Sequence, residues 1–324
     1  MKYMISQKIE AHMTVFSSTL GQMAFLFFLI VIGYLLTRFS ILPDTATAVL
    51  SKLESWVFIP ALVMGTFMHN FTVAQFGTAG KFILAGAVTV LGGLPLVLLF
   101  ARLCTKDSYT RGIYTYGLAF SNFGFMGNAV VSALFPDVFM NYLIFVLPFW
   151  VLIYLWGVPY LLMPVKEGAS FKSGLKNLVN PMFIAMLVGM IVGLLPFEVP
   201  TFFSSAVSSL GSCMSPVAML LTGMTIAKTP LKKMLGVPSI YAVSLIRLLL
   251  LPAVALTVVA LSPVPQDVAL CAVAASAMPL GLNTIVIPSA YGKDTSVAAG
   301  MALISHVLSV ITIPLTFTLF SMLL

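Results

Sequence analysis

The chain reads as an all-α polytopic membrane protein: ten transmembrane helices in two inverted five-helix repeats, the fourth and ninth interrupted and meeting near the midplane. Three observations carry that reading. Of 324 residues, 60% are hydrophobic and 8% are charged, whereas ordinary soluble domains carry about 25% charged residues. The apolar runs are ~20–25 residues long, which suits membrane helices and is too long for the strands of a barrel. Two uncharged runs, Gly112–Pro136 and Val268–Gly292, are each broken inside by helix-weakening residues.

Taken in order, the spans fall near 15–37, 46–68, 81–103, 112–136, 138–163, 181–197, 201–227, 236–261, 267–291 and 296–323. Residues 1–163 then form the first repeat, 164–180 a cytoplasmic loop, and 181–324 the second repeat. Basic residues set the orientation. Loops after odd-numbered spans carry Arg38; Arg102, Lys106 and Arg111; Lys166, Lys172 and Lys176; Lys228, Lys232 and Lys233; and Lys293. Loops after even-numbered spans carry only Lys81. The odd loops are therefore expected in the cytoplasm and both termini outside the cell membrane. The net charge of +7 sits mostly in these short loops, so it reports topology and gives no nucleic-acid partner. Phe16–Leu36 is too long for a removed signal peptide and lacks a small-residue cleavage site.

The halves resemble each other. Pro43, Pro60 and Pro95 are followed at one nearly constant offset by Pro200, Pro216 and Pro252, and Asn122 is followed at a similar one by Asn283. Five spans per half is an odd number, so the second repeat is inserted upside down, which places a substrate near the midplane.

The two interruptions are Phe120–Ser121–Asn122–Phe123–Gly124–Phe125–Met126–Gly127–Asn128 and Ala277–Met278–Pro279–Leu280–Gly281–Leu282–Asn283–Thr284. Proline removes a backbone donor and glycine weakens a helix. In hydrocarbon the freed groups must be satisfied by protein or by a watery cavity. Each second half offers N–H groups and a positive dipole end at its start, expected around Phe125–Asn128 and Thr284–Ile287. Two such ends make an anion site without a lysine. Asn122, Asn283, Ser121, Asn128 and Thr284 add neutral donors and acceptors suited to a carboxylate. Patching the broken backbone is the plainer role for Ser121, Asn128 and Thr284. Gly124 and Pro279 set shape at the same place. Sodium near Asn122 and Asn283 stands as an alternative guest.

Three ionisable groups fall inside spans. Arg247 is ~16 Å deep at 1.5 Å per residue, and intramembrane arginine faces a partner inside the protein. Here the partner is the pair of first-half C-terminal dipole ends, or the anion. Glu54 lies about two turns into the second span, where Lys52 or Arg38 can pair with it. It and His306 are the candidates for proton coupling. Cys104, Cys213 and Cys271 have no metal-ligand spacing. No nucleophile with a base, midplane carboxylate pair or GxxxxGK[ST] loop is present, so no catalytic role and no cofactor are expected beyond a coupling Na⁺ or H⁺.

The sequence also resembles the auxin efflux carrier family, including its prokaryotic malate or malonate permeases. The resemblance rests on Phe58–Ile59–Pro60, Ser121–Asn122–Phe123–Gly124–Phe125–Met126–Gly127, Asn180–Pro181, Ser215–Pro216–Val217–Ala218–Met219–Leu220–Leu221–Thr222–Gly223, Arg247–Leu248–Leu249–Leu250–Leu251–Pro252, Ala277–Met278–Pro279 with Asn283, and Tyr291–Gly292–Lys293–Asp294. It implies a fold shared with plant auxin exporters, bile-acid sodium symporters and sodium/proton antiporters. In that fold spans 1, 2, 6 and 7 form a scaffold, spans 3–5 and 8–10 move as an elevator, and the fourth and ninth spans cross in an X. It implies that Asn122 matches an asparagine that helps bind a carboxylate, and that Arg247 looks like the lysine neutralising the antiporters' crossing helices. It further implies a homodimer through the scaffold. The antiporters' crossing aspartates have no counterpart here. The expected function is secondary transport of a small organic anion across the lipid bilayer. The alternatives are sodium-coupled symport and a ligand sensor that moves nothing.

Overall fold

Apolar helices fill the structure, a computed structural model that describes residues 2–162, 179–195, 199–228, 235–290 and 293–323. The loop residues Lys166, Lys172, Lys176, Lys232 and Lys233 and the pair Tyr291–Gly292 lie outside the described residues. The helices are α1 (Lys2–Arg38), α2 (Ala46–Leu53), α3 (Ile59–Asn70), α4 (Val73–Cys104), α5 (Ser108–Ala119), α6 (Asn128–Leu134), α7 (Pro136–Phe145), α8 (Leu147–Leu152), α9 (Pro181–Leu194), α10 (Thr201–Ser212), α11 (Met214–Ala227), α12 (Pro238–Leu245), α13 (Leu251–Leu261), α14 (Gln266–Ala277), α15 (Asn283–Ala290) and α16 (Ser296–Leu323). Widened, π-type turns at Glu54–Phe58, Phe123–Gly127, Ile153–Leu162 and Ile246–Leu250 complete the pattern. Among the described residues the β structure is one isolated antiparallel bridge, Ser121 to Leu280.

Among the described residues seven stretches are long and apolar enough to cross a membrane: Met13–Arg38, Ala46–Asn70, Gly77–Cys104, Pro136–Leu162, Thr201–Ala227, Pro238–Leu261 and Ser296–Leu323. Three shorter apolar helices, Phe123–Leu134, Pro181–Leu194 and Gln266–Ala277, stand where the sequence places spans four, six and nine. Two are short for a physical reason: each belongs to a span that is interrupted.

Proline accounts for two of the widened turns. Pro60 and Pro252 have no N–H to return to the preceding turn, so the residue before each reaches back one step further. The Ile59 N–H bonds the Glu54 carbonyl and the Leu251 N–H bonds the Ile246 carbonyl. Helix starts also follow the sequence. Asn180 accepts from the N–H groups of Met182 and Phe183 at 3.1 and 3.2 Å, with Pro181 in the first turn, the expected cap for that pair. Asp107 caps α5 by accepting the Thr110 N–H at 2.7 Å.

The long helices pack at small residues. A methyl group added at Gly33 would run into the Leu220 carbonyl, and one at Gly223 into the Ile30 carbonyl. The α1 and α11 backbones therefore meet closely, as small residues permit where lipid offers no hydrophobic drive. α3 packs on α9 and α10, and α14 packs on α4, α7, α13 and α16. That arrangement leaves α14 and the 123–127 turn against each other at the centre.

Candidate functional site

Both interruptions are present, and they touch. α5 stops at Ala119, and Phe120 is extended, with φ −118° and ψ 101°. α14 stops at Ala277, and Met278 is extended, with φ −70° and ψ 149°. The Asn122 N–H donates to the Pro279 carbonyl at 2.7 Å, so each break satisfies part of the other's freed backbone, as a break inside a membrane requires. Gly281 lies so close to the Phe120 and Ser121 carbonyls that an added Cβ would sit 3.0 and 3.2 Å from them.

The negative ends of the two first half-helices share one cation. Arg247, 4% exposed, donates Nε–H to the Met278 carbonyl at 3.0 Å and Nη1–H to the Leu118 carbonyl at 2.9 Å. Its Nη2 donates to the carbonyls of Ala275 and Ser276 at 3.1 and 2.9 Å. Burying an unpaired guanidinium costs several kcal/mol. Four charge-assisted bonds at ~1.5–3 kcal/mol each, aimed at two C-terminal dipoles, offset that cost. Of the two roles predicted for Arg247, the geometry is that of the crossing clamp.

The second half-helices begin at Phe123 and Asn283. That is two residues earlier than expected for the fourth span, because the wide turn starts immediately after Asn122. The Asn122 carbonyl accepts from the N–H groups of Met126 and Gly127, both at 3.0 Å, leaving the first N–H groups, those of Phe123 to Phe125, with no acceptor in their own helix. A cavity with about 20 Å³ of room lies here, lined by Ser121, Asn122, Gly124 and Asn283 together with aromatic residues. That space holds about one water. No aspartate or glutamate lines it.

The predicted residues divide. Asn122, Asn283, Ser121 and Gly124 line the cavity. The Asn122 Nδ2 lies 3.1 Å from His306 Nε2, and its Oδ1 is buried without a partner. Asn283 donates Nδ2–H to the Tyr116 hydroxyl at 3.0 Å. The Ser121 hydroxyl donates to the Ala275 carbonyl at 2.7 Å and that of Thr284 to the Gly281 carbonyl at 2.8 Å. Both hydroxyls therefore patch the broken backbone, and Thr284 and Pro279 do not line the cavity. Asn128 faces a second small cavity, with Val63, Phe67, Trp150 and Met186 among its walls, and its Oδ1 is unpaired. Glu54 requires a correction. It is 1% exposed, and neither oxygen bonds Lys52, Arg38 or any other described group. The wide turn before Pro60 rotates it into the helix pack and away from the basic side chains near the loop.

Three contributors were absent from the sequence reading. Trp150 covers Gly124, where an added Cβ would lie 2.6 Å from its ring. Tyr116 anchors Asn283, and Ser305 accepts the Leu280 N–H at 3.3 Å. Ser305 adjoins His306 and could have been suspected on that ground. Trp150 sits in an evenly aromatic run that gives it no distinguishing mark.

Broken spans whose loose ends are satisfied inside the protein are a recurrent feature of membrane carriers. The comparison with known families agrees: a family described as membrane transport protein matches residues 18–317. The chain belongs to that family, the auxin efflux carriers, and is a multi-pass membrane transporter. No curated protein matches it.

Proposed function

We propose that the chain is a secondary carrier of small organic anions, carboxylates such as malate, malonate or auxin-like acids, working by an elevator-type alternating cycle in the cell membrane. One observation carries the reading. Arg247 neutralises the two negative helix ends, while the starts of the second half-helices, Phe123–Phe125 and Asn283, line a cavity that has amides and no acid. An anion is the guest such an asymmetry favours. With room for about one water, the site must open before a dicarboxylate enters, which is what alternating access supplies.

The ten-span inverted repeat is supported by paired packing. α1 against α11 is matched by α9 against α3, α4 against α5 by α13 against α14, and α4 against α7 by α12 against α16. On this reading spans 1, 2, 6 and 7 are the scaffold and the homodimer surface, both termini face outward, and the coupling ion acts near the crossing. Sodium coupling is the second reading, favoured by the unpaired Asn122 Oδ1, an acceptor suited to a cation.

Asn122→Ala in proteoliposomes should abolish saturable malonate or malate uptake and counterflow while leaving thermal stability close to that of the parent. Unchanged kinetics would remove Asn122 from the site. Uptake under separately imposed Na⁺, pH and voltage gradients decides the coupling, and absent counterflow would favour a sensor.

A further inference from the structure

Two adjacent residues of α16 hold both breaks: Ser305 at Leu280 and His306 at Asn122. The proton position on His306 follows from its partners. Nδ1 lies 2.7 Å from the Ala302 carbonyl, which only accepts, so Nδ1 carries the proton. The neutral ring then offers a lone pair at Nε2, and the Asn122 Nδ2 donates to it. The other end of that amide, Oδ1, has no partner although Asn122 is 2% exposed. His306 is 1% exposed, so an imidazolium there with no anion beside it is costly.

We propose that His306 takes up one proton together with the anion, and that it does so by turning the Asn122 amide over. This rests on the crossing being the anion site. A proton arriving from water in the opened site binds the Nε2 lone pair, and no bond between heavy atoms forms or breaks. Nε2 becomes a donor and can no longer face Nδ2–H. The amide turns half a revolution, Oδ1 accepts from Nε2–H, and Nδ2 takes the end that had no partner. In the neutral state Asn122 thus presents an acceptor to the guest; in the protonated state it presents two N–H groups. The added positive charge is cancelled by the carboxylate those groups bind. Proton and anion therefore favour each other's binding to the same degree.

The elements packed on α16 bring few other charges. Their ionisable residues are Arg247 and Tyr241 in span eight, Asp267 and Cys271 in α14, and Tyr34 and Arg38 in α1, which also carries Lys2, Tyr3, Lys8, Glu10 and His12 in its first three turns, with Lys228 following α11. Among the described residues the His306 ring nitrogens bond Asn122 and Ala302, and Arg247 is occupied by four carbonyls.

The chain has three histidines, His12, His69 and His306, so the His12→Gln/His69→Gln protein reports His306 alone. Nitrogen-15 NMR of that protein in lipid should show the Nδ1–H tautomer at neutral pH without anion, and imidazolium with saturating malonate. The Nε2–H tautomer, or a ring that stays neutral with malonate bound, overturns the proposal. Malonate affinity by thermal shift should weaken about tenfold per pH unit across the range where one proton is taken up, and become flat with pH in His306→Gln. A flat profile in the parent protein overturns the coupling and leaves the anion reading standing. If neither malonate, malate nor an aromatic carboxylate stabilises the protein at any pH, the anion reading falls and takes this proposal with it.

Discussion

Arg247 and Glu54 are both buried charged-type residues in a widened turn that a proline follows, yet their surroundings are opposite. Arg247 meets four carbonyls; neither Glu54 oxygen has a hydrogen-bond partner among the described residues. The wide turn alone therefore does not make a site. At residue 247 two helices end nearby and their free carbonyls need a donor. At residue 54 the turn packs on α2, α3, α9, α10 and α11, and no donor among their described residues reaches the carboxylate. What a buried ionisable group does in lipid depends on whether a partner of the right polarity faces it.

The largest test of this contrast is Arg247→Ala. It strands the carbonyls of two helix ends, and the loss should be on the order of 3–5 kcal/mol, read as a marked fall in thermal midpoint in detergent. Arg247→Lys keeps the charge but not the fork, so it should recover only part of that loss. A midpoint near the parent's for Arg247→Ala would show that the carbonyls find other donors. Ser121→Ala comes next: its hydroxyl shares the Ala275 carbonyl with Arg247, and about 0.5–1.5 kcal/mol should go with it.

Asp107 offers a carboxylate that does have partners. The Thr110 N–H it accepts holds it below the usual carboxylate range. A lowered folded value means its contribution is present at neutral pH and fades as acid protonates it, from the ordinary carboxylate range down through the folded value. Because the group is fully exposed, Asp107→Asn should cost less than Ser121→Ala and reduce that acid sensitivity, checked by midpoints at neutral and acid pH. Glu54→Gln should be the mildest, with the midpoint at neutral pH unchanged or raised, since no hydrogen bond or salt bridge is lost. A large fall would mean that the carboxylate is charged and held by something opposite it.

Much of this was legible in the residues. Arg247 was placed by its depth at the first-half helix ends or at the anion, and Asn122 at the cavity because an interrupted span lines one. Glu54 was misjudged because distance along a helix measures depth and not the direction a side chain turns, which the bulge before Pro60 changed. Ser121 and Thr284 carried two readings by type, ligand or backbone patch; their hydroxyls bond the Ala275 and Gly281 carbonyls, and Ser121 also lines the cavity. Trp150 could not have been singled out, since its position depends on α8 folding back over Gly124.

By itself the sequence determined the membrane class, the places where spans break and the absence of acid from the fourth and ninth interruptions, because composition, proline and glycine act locally on backbone and solvation. Only the tertiary structure decided that the breaks touch at residues 121 and 280, that one arginine serves both, and that His306 faces Asn122. Those pairings join groups far apart in the chain, and only packing brings them within hydrogen-bond reach.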